Sequence, residues 1–146
     1  MTLDTIDISI IELLRNNSKL STKEISKQVR MPITTVHNRI KKLEKEGIIK
    51  KYTVILDNKK LGKLISAYVL LNMDYQKIKE HKYSQSALAD RLKNNPSVEL
   101  VNVITGRKDM ILKVLAKDLE ELNDIIANVL QTIPEIKQTE TFIVLY

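Results

Sequence analysis

Apolar residues recur at helical spacing through the first third of the chain. Ile6, Ile10, Leu13 and Leu14 mark one helix. Asp4 is placed to cap it, with Asp7 three residues on as the reciprocal partner of a capping box. Asn16–Asn17–Ser18 ends it. Ser21-Thr22-Lys23-Glu24 is a second capping box, and Ile25 and Val29 supply the buried side of a short second helix. Arg30 and Met31 make a tight turn. Pro32 suits the first turn of a third helix, because its missing N–H would be unpaired there. Ile33, Val36, Ile40 and Leu43 lie on one face of that helix, and Gly47 stops it. Ile48 to Leu56 then reads as a strand, rich in β-branched and aromatic residues.

The pattern changes after the turn Asp57–Lys60 and the link Leu61–Lys63. Leu64–Met73 is a strand with apolar residues on both sides. Tyr75–Tyr83 is polar and reads as loop with a frayed helical start. Ser84 caps a helix carrying Ala87, Leu88, Ala89 and Leu92, which Asn94–Asn95–Pro96 ends. Val98–Ile104 is a strand, Thr105–Lys108 a hairpin turn with Gly106 at its tight point, and Met110–Ala116 the returning strand. Asp118 caps a helix through Leu130, Pro134 follows it, and Lys137–Tyr146 alternates as a last strand.

Two modules follow from this order. The first, residues 1–51, is helix, helix, turn, helix, with the second and third helices separated by a few residues; that is the helix-turn-helix arrangement. Residues 52–63 are strand and linker. Residues 64–146 read β-α-β-β-α-β, the ferredoxin-like motif, so the fold class is α+β. Such a sheet has helices on one face only, and a second copy of the chain is an economical cover for the other.

Charge sharpens the division. The chain carries a net charge of +6. Residues 1–63 hold fourteen lysines and arginines against seven acids, and residues 64–146 ten against eleven. A basic module joined to a near-neutral one points to nucleic acid for the first and another task for the second. There is no cysteine, which excludes disulfides, thiolate nucleophiles and Cys-ligated metal. The apolar runs are too short to span a bilayer, and the N-terminus lacks the pattern of a signal peptide; a cytoplasmic location is expected. On the third helix, the stripe Val36, Ile40, Leu43 leaves Thr34, Thr35, His37, Asn38, Lys41 and Lys42 on the opposite side. Early polar residues of such a helix reach base edges, later lysines reach phosphates, and Asn38 has the geometry to pair bidentately with adenine. His37 has no ligating neighbours in sequence, so no metal is expected.

The residues Leu3-Asp4-x-x-Asp7-x-x-Ile10, Ser21-x-x-Glu24-Ile25-Ser26, Val36-x-x-Arg39-Ile40-x-x-Leu43-Glu44-x-x-Gly47-Ile48-Ile49 and Thr105-Gly106-x-x-Asp109 resemble the leucine-responsive regulatory protein (Lrp/AsnC) family of transcription factors over nearly the whole chain. The resemblance implies a winged helix-turn-helix that binds double-stranded DNA and a βαββαβ module that dimerises, with dimers assembling into tetramers or octamers. It implies roughly palindromic sites and an amino-acid effector, with no cofactor. The DNA-contacting set it implies is Ser21, Thr22, Lys23, Ile33, Thr34, Thr35, His37, Asn38, Arg39, Lys41, Lys42, Lys50 and Lys51. Arg39 stands between two roles, holding a phosphate or bracing the domain. The effector set is Thr105, Gly106, Arg107, Lys108 and Asp109. Two positions depart from the family's pattern: Pro32 stands where a serine cap is common, and Lys108 where an aromatic residue is common. Two other readings stay open. Siroheme decarboxylases share the architecture, although only His37 and His81 are available here as imidazoles. A weakly specific DNA-wrapping protein would show a steep salt dependence with little sequence preference. The expectation is a regulator and no enzyme.

Overall fold

The computed structural model describes residues 2–145 and divides into two compact units, Met1–Ile55 and Leu56–Tyr146. In the first, α1 (Thr5–Asn16), α2 (Thr22–Val29) and α3 (Ile33–Lys45) pack around Ile10, Leu14, Ile25, Val36 and Leu43. Each helix places one apolar stripe inward. Burying a side chain of this size stabilises by about 1.5–3 kcal/mol, so five of them hold a small three-helix unit together. Both capping boxes form. Asp4 accepts from the Asp7 N–H at 2.8 Å, and the Asp7 carboxylate accepts from the Asp4 N–H at 3.2 Å. Ser21 accepts from the Glu24 N–H at 3.2 Å while Glu24 accepts from the Ser21 N–H at 2.8 Å.

The end of α3 follows from Gly47. At φ +70 it takes the left-handed conformation that L side chains resist. Its N–H then donates to the Glu44 carbonyl, and the Ile48 N–H donates to the Leu43 carbonyl. This is a Schellman stop, and it turns the chain back along the helix.

The second unit is a four-stranded antiparallel sheet in the order β2-β3-β1-β4, with β1 Ile65–Met73, β2 Val98–Val103, β3 Met110–Ala116 and β4 Ile136–Ile143. Helices α4 (Tyr75–Glu80), α5 (Gln85–Lys93) and α6 (Leu119–Asp124) join the strands. The order is that of the ferredoxin-like motif. Along β1, Ala67, Val69, Leu71 and Met73 alternate into a core shared with Leu88, Leu92, Met110, Leu112, Val114, Leu122 and Leu130. The intervening residues Tyr68 and Leu70, with Ile111, Leu115 and the half-exposed Phe142, lie on the opposite face.

Five expectations need correction. The expected strand Ile48–Leu56 does not form: residues 48–49 are a bend after α3, residues 50–56 pair with no strand among the described residues, and Val54, Ile55 and Leu56 are exposed. The stretch after β1 is helical rather than loop: Asp74 caps α4 by accepting from the Gln76 and Lys77 N–H groups, and Ile78 is buried beneath it. Pro32 occupies the N-cap of α3 instead of its first turn and provides no side-chain acceptor. Ile33 leaves the core stripe and is 48 % exposed, since the helix begins there and nothing covers its first turn. The helix expected from Asp118 to Leu130 is also not uniform. Its second half, Ile125–Leu130, widens to a π-helical segment, where the Thr132 hydroxyl donates to the Asn128 and Val129 carbonyls.

Candidate nucleic-acid interface

The third helix separates its residues by face. Val36 and Leu43 are fully buried and Ile40 partly so. On the other side Thr34, His37, Asn38, Lys41 and Lys42 are exposed and Thr35 is half-buried. Ile33 joins this outward group at the helix start. There is no acid in the first turn of α3 and no side-chain cap, which leaves the N-terminus of this helix electropositive. Lys50 and Lys51 follow on the extended segment and are exposed.

Four of the expected contacts are engaged elsewhere or flank this face. The Ser21 hydroxyl donates to Glu24 at 2.7 Å and is committed to the cap, while Thr22 is half-buried and Lys23 exposed in the first turn of α2. Arg39 takes the bracing role. One of its Nη atoms lies 2.7 Å from both the Asp4 and the Asp7 carboxylates. Asp7 is 4 % exposed, so this guanidinium neutralises a charge within the three-helix core. The N–H of Asp7 and the Arg39 guanidinium hold the Asp4 carboxyl below the usual carboxylate range, and the two acids push Arg39 upward. Nothing in the spacing of Asp4, Asp7 and Arg39 joins them in the sequence; the packing of α3 against the start of α1 does.

A second clasp, which sequence reasoning missed, fixes the segment after α3. The Tyr52 hydroxyl donates to Glu44 at 2.7 Å. Partial burial, with the Glu44 carboxylate beside it, pushes the phenol up to about 12, so it stays a donor at any physiological pH.

In the second unit the hairpin Thr105–Asp109 is tied to β1. Ile104 donates to the Asp109 carbonyl, and the Asp109 N–H donates to the Leu71 carbonyl, both at 2.9 Å. Asn72 donates to the Arg107 carbonyl at 2.9 Å. The Asp109 carboxylate accepts from the Met73 N–H at 2.7 Å and from the Tyr75 hydroxyl at 2.6 Å, and Gln85 donates to Tyr75 at 3.0 Å. Lys108 is paired with Glu140 at 2.9 Å. Thr105, Gly106 and Arg107 remain exposed, with Gly106 at φ +136. Thus the hairpin presents backbone and Arg107 to solvent, while Lys108 and Asp109 secure it. Among the described residues no cluster of metal-ligating side chains occurs, and no helix is long and apolar enough to cross a membrane.

Comparison with known proteins matches residues 3–50 to a winged helix-turn-helix DNA-binding family and residues 66–146 to the Lrp/AsnC ligand-binding domain. The chain belongs to the Lrp/AsnC family. It is 39 % identical over 143 residues to the HTH-type transcriptional regulator FL11 of Pyrococcus horikoshii, covering 98 % of this chain and 89 % of that protein. Bacillus subtilis LrpC superposes with a TM-score of 0.81 at 33 % identity, over 100 % of this chain and 96 % of that one. The fold also matches the Neisseria meningitidis regulator NMB0573 in its complex with L-Met, with a TM-score of 0.89 at 23 % identity, over 99 % and 91 % of the two chains. The chain is an Lrp/AsnC transcriptional regulator with an N-terminal DNA-binding module.

Proposed function

We propose that this regulator binds inverted-repeat sites as a dimer, with α3 of each chain in the major groove. The observation that carries the reading is the split of α3 into a buried Val36–Leu43 stripe and an exposed Thr34, His37, Asn38, Lys41, Lys42 face on a basic unit. Asn38 pairs with adenine, while Thr34, Thr35 and His37 contact neighbouring base edges. Ile33 offers its half-exposed side chain to a thymine methyl. Lys41, Lys42, Lys50 and Lys51 pair with phosphates, and Ser21, Thr22 and Lys23 position the start of α2 against the backbone. Arg39 serves by holding α1 and α3 together rather than by touching DNA.

The dimer forms through the open face of the sheet, where Tyr68, Leu70, Ile111, Leu115 and Phe142 make an apolar surface. Dimers assemble further to tetramers or octamers, and a free amino acid acts as effector at the exposed Thr105–Arg107 tip, with Lys108 and Asp109 shaping its base. The match to a ligand-binding domain supports the effector role.

Selection of duplexes from a random library by the purified full-length protein tests the reading. The expected product is a short inverted repeat with half-sites about one helical turn apart. Recovery of unenriched DNA would replace it by a weakly specific wrapping role, and failure to retain duplex would refute DNA binding altogether.

A further inference from the structure

Helix α2 carries a row of cations that the groove reading leaves largely unused. Lys23, Lys27 and Arg30 stand four and three residues apart, which aligns them on one side of the helix. All three are exposed. The acid of this helix, Glu24, is occupied by the Ser21 N–H and hydroxyl at 2.8 and 2.7 Å. Among the described residues, the ion pairs that arginine makes in this unit are those of Arg39 with Asp4 and Asp7.

The row repels itself, although Lys27 in the last turn is favoured by the helix dipole and attracts the Glu24 carboxylate. Like charges at i, i+3 and i, i+4 repel and destabilise a helix. Arg30 adds a second cost. It closes α2 at φ 53, ψ 45, the left-handed region where glycine is the default residue. Glycine would end α2 in the same geometry without that strain. A chain that keeps an arginine here, at the end of a lysine row and three residues before the groove helix, departs from local preference in two ways at one place. Such departures cluster where function requires them.

We propose that Lys23, Lys27 and Arg30 form a phosphate-contacting rail on α2, with Arg30 fixed by the helix-turn-helix turn at the end nearest α3. Seven residues of helix span roughly 10 Å, about the axial rise of three phosphates on one strand. The inference rests on the DNA reading above and extends the contact set to Lys27 and Arg30.

The test compares the full-length protein with its R30G, R30K and K27Q variants on one duplex, over a series of salt concentrations, alongside their thermal midpoints. R30G relieves the left-handed strain and should melt several degrees higher. It should nevertheless bind DNA more weakly, by about fivefold per chain near 0.15 M salt, with the slope of log K against log salt less steep by about 0.9 per chain. K27Q should show the same loss in slope, and R30K should keep the wild-type slope. A merely structural Arg30 would move stability and binding together, so opposite signs in R30G support the rail. If wild type binds while R30G and K27Q match it in affinity and slope, the rail is refuted and the groove reading stands. An R30K loss equal to that of R30G would also refute it, by showing that backbone and not charge is responsible. If wild type itself does not bind duplex, the DNA reading fails and takes the rail with it.

Discussion

Replacing Arg39 by alanine separates bracing from DNA contact. The guanidinium bridges Asp4 and Asp7 at 2.7 Å each. Removing it leaves the Asp7 carboxylate, 4 % exposed, with the Asp4 N–H at 3.2 Å as its remaining partner. Breaking a fully buried ion pair costs about 3–5 kcal/mol. The Arg39 side chain is 27 % exposed, so water screens part of the interaction, and about 2–3 kcal/mol is the appropriate figure. A unit of this size is stable by roughly 3–8 kcal/mol. R39A should therefore lower the midpoint of its thermal transition by on the order of 10 °C or more. The pH dependence has a definite sign. Asp4 is held below its ordinary value, so its contribution is complete above the unfolded carboxyl range near pH 4 and is lost as pH falls through the lower folded value. The gap between wild type and R39A should accordingly shrink under acid. Circular dichroism melts at pH 7 and pH 3.5, with salt-dependent DNA binding at a temperature where both proteins are folded, make the measurement. An R39A protein that melts like wild type but loses DNA affinity with a shallower salt slope would refute the brace and make Arg39 a phosphate anchor.

Other consequences are open to measurement. Asn38→Ala should weaken binding to a selected site by about 1–3 kcal/mol and relax the preference at one adenine position in each half-site, seen by repeating the selection. Leu70→Asp places a charge in the open sheet face and should shift the protein to monomers in sedimentation velocity; unchanged assembly would exclude that face as the dimer interface. His81→Ala removes the 2.8 Å partner of the buried Glu135. His81 and burial act oppositely on that carboxyl, and the hydrogen bond prevails to hold it below the usual range. Wild type should thus exceed H81A in urea midpoint above the unfolded carboxyl range, with the difference closing as pH falls through the folded value; a gap that widens toward pH 3 would contradict this.

Much of the architecture was legible because local signals agreed with one another. The two capping boxes, the Gly47 stop and the Thr105–Lys108 turn each combine a side-chain preference with a matching change in apolar period, and each forms. The failures share a cause. Residues 50–56 have strand composition but find no partner within their unit, and composition alone does not provide a ladder. α4 was obscured by its polarity, since a single buried residue, Ile78, anchors it. The exposed face of α3 was readable from the Val36–Leu43 stripe, whereas the pairing of Arg39 needed Asp4 and Asp7 brought from another helix. Tyr52 with Glu44, Tyr75 with Asp109 and His81 with Glu135 span 8, 34 and 54 residues. No periodicity marks such pairs in advance; the fold brings them together.

The most direct test of the central claim is the affinity of the full-length protein for its selected duplex and for a shuffled duplex of equal length and composition, measured across a range of salt concentrations. The selected site should be tighter by about 10³-fold or more at physiological salt. Binding to it should weaken with a slope near −7 if the dimer engages about eight phosphates. Equal affinities for the two duplexes, with the same steep slope, would show that α3 reads charge and not sequence.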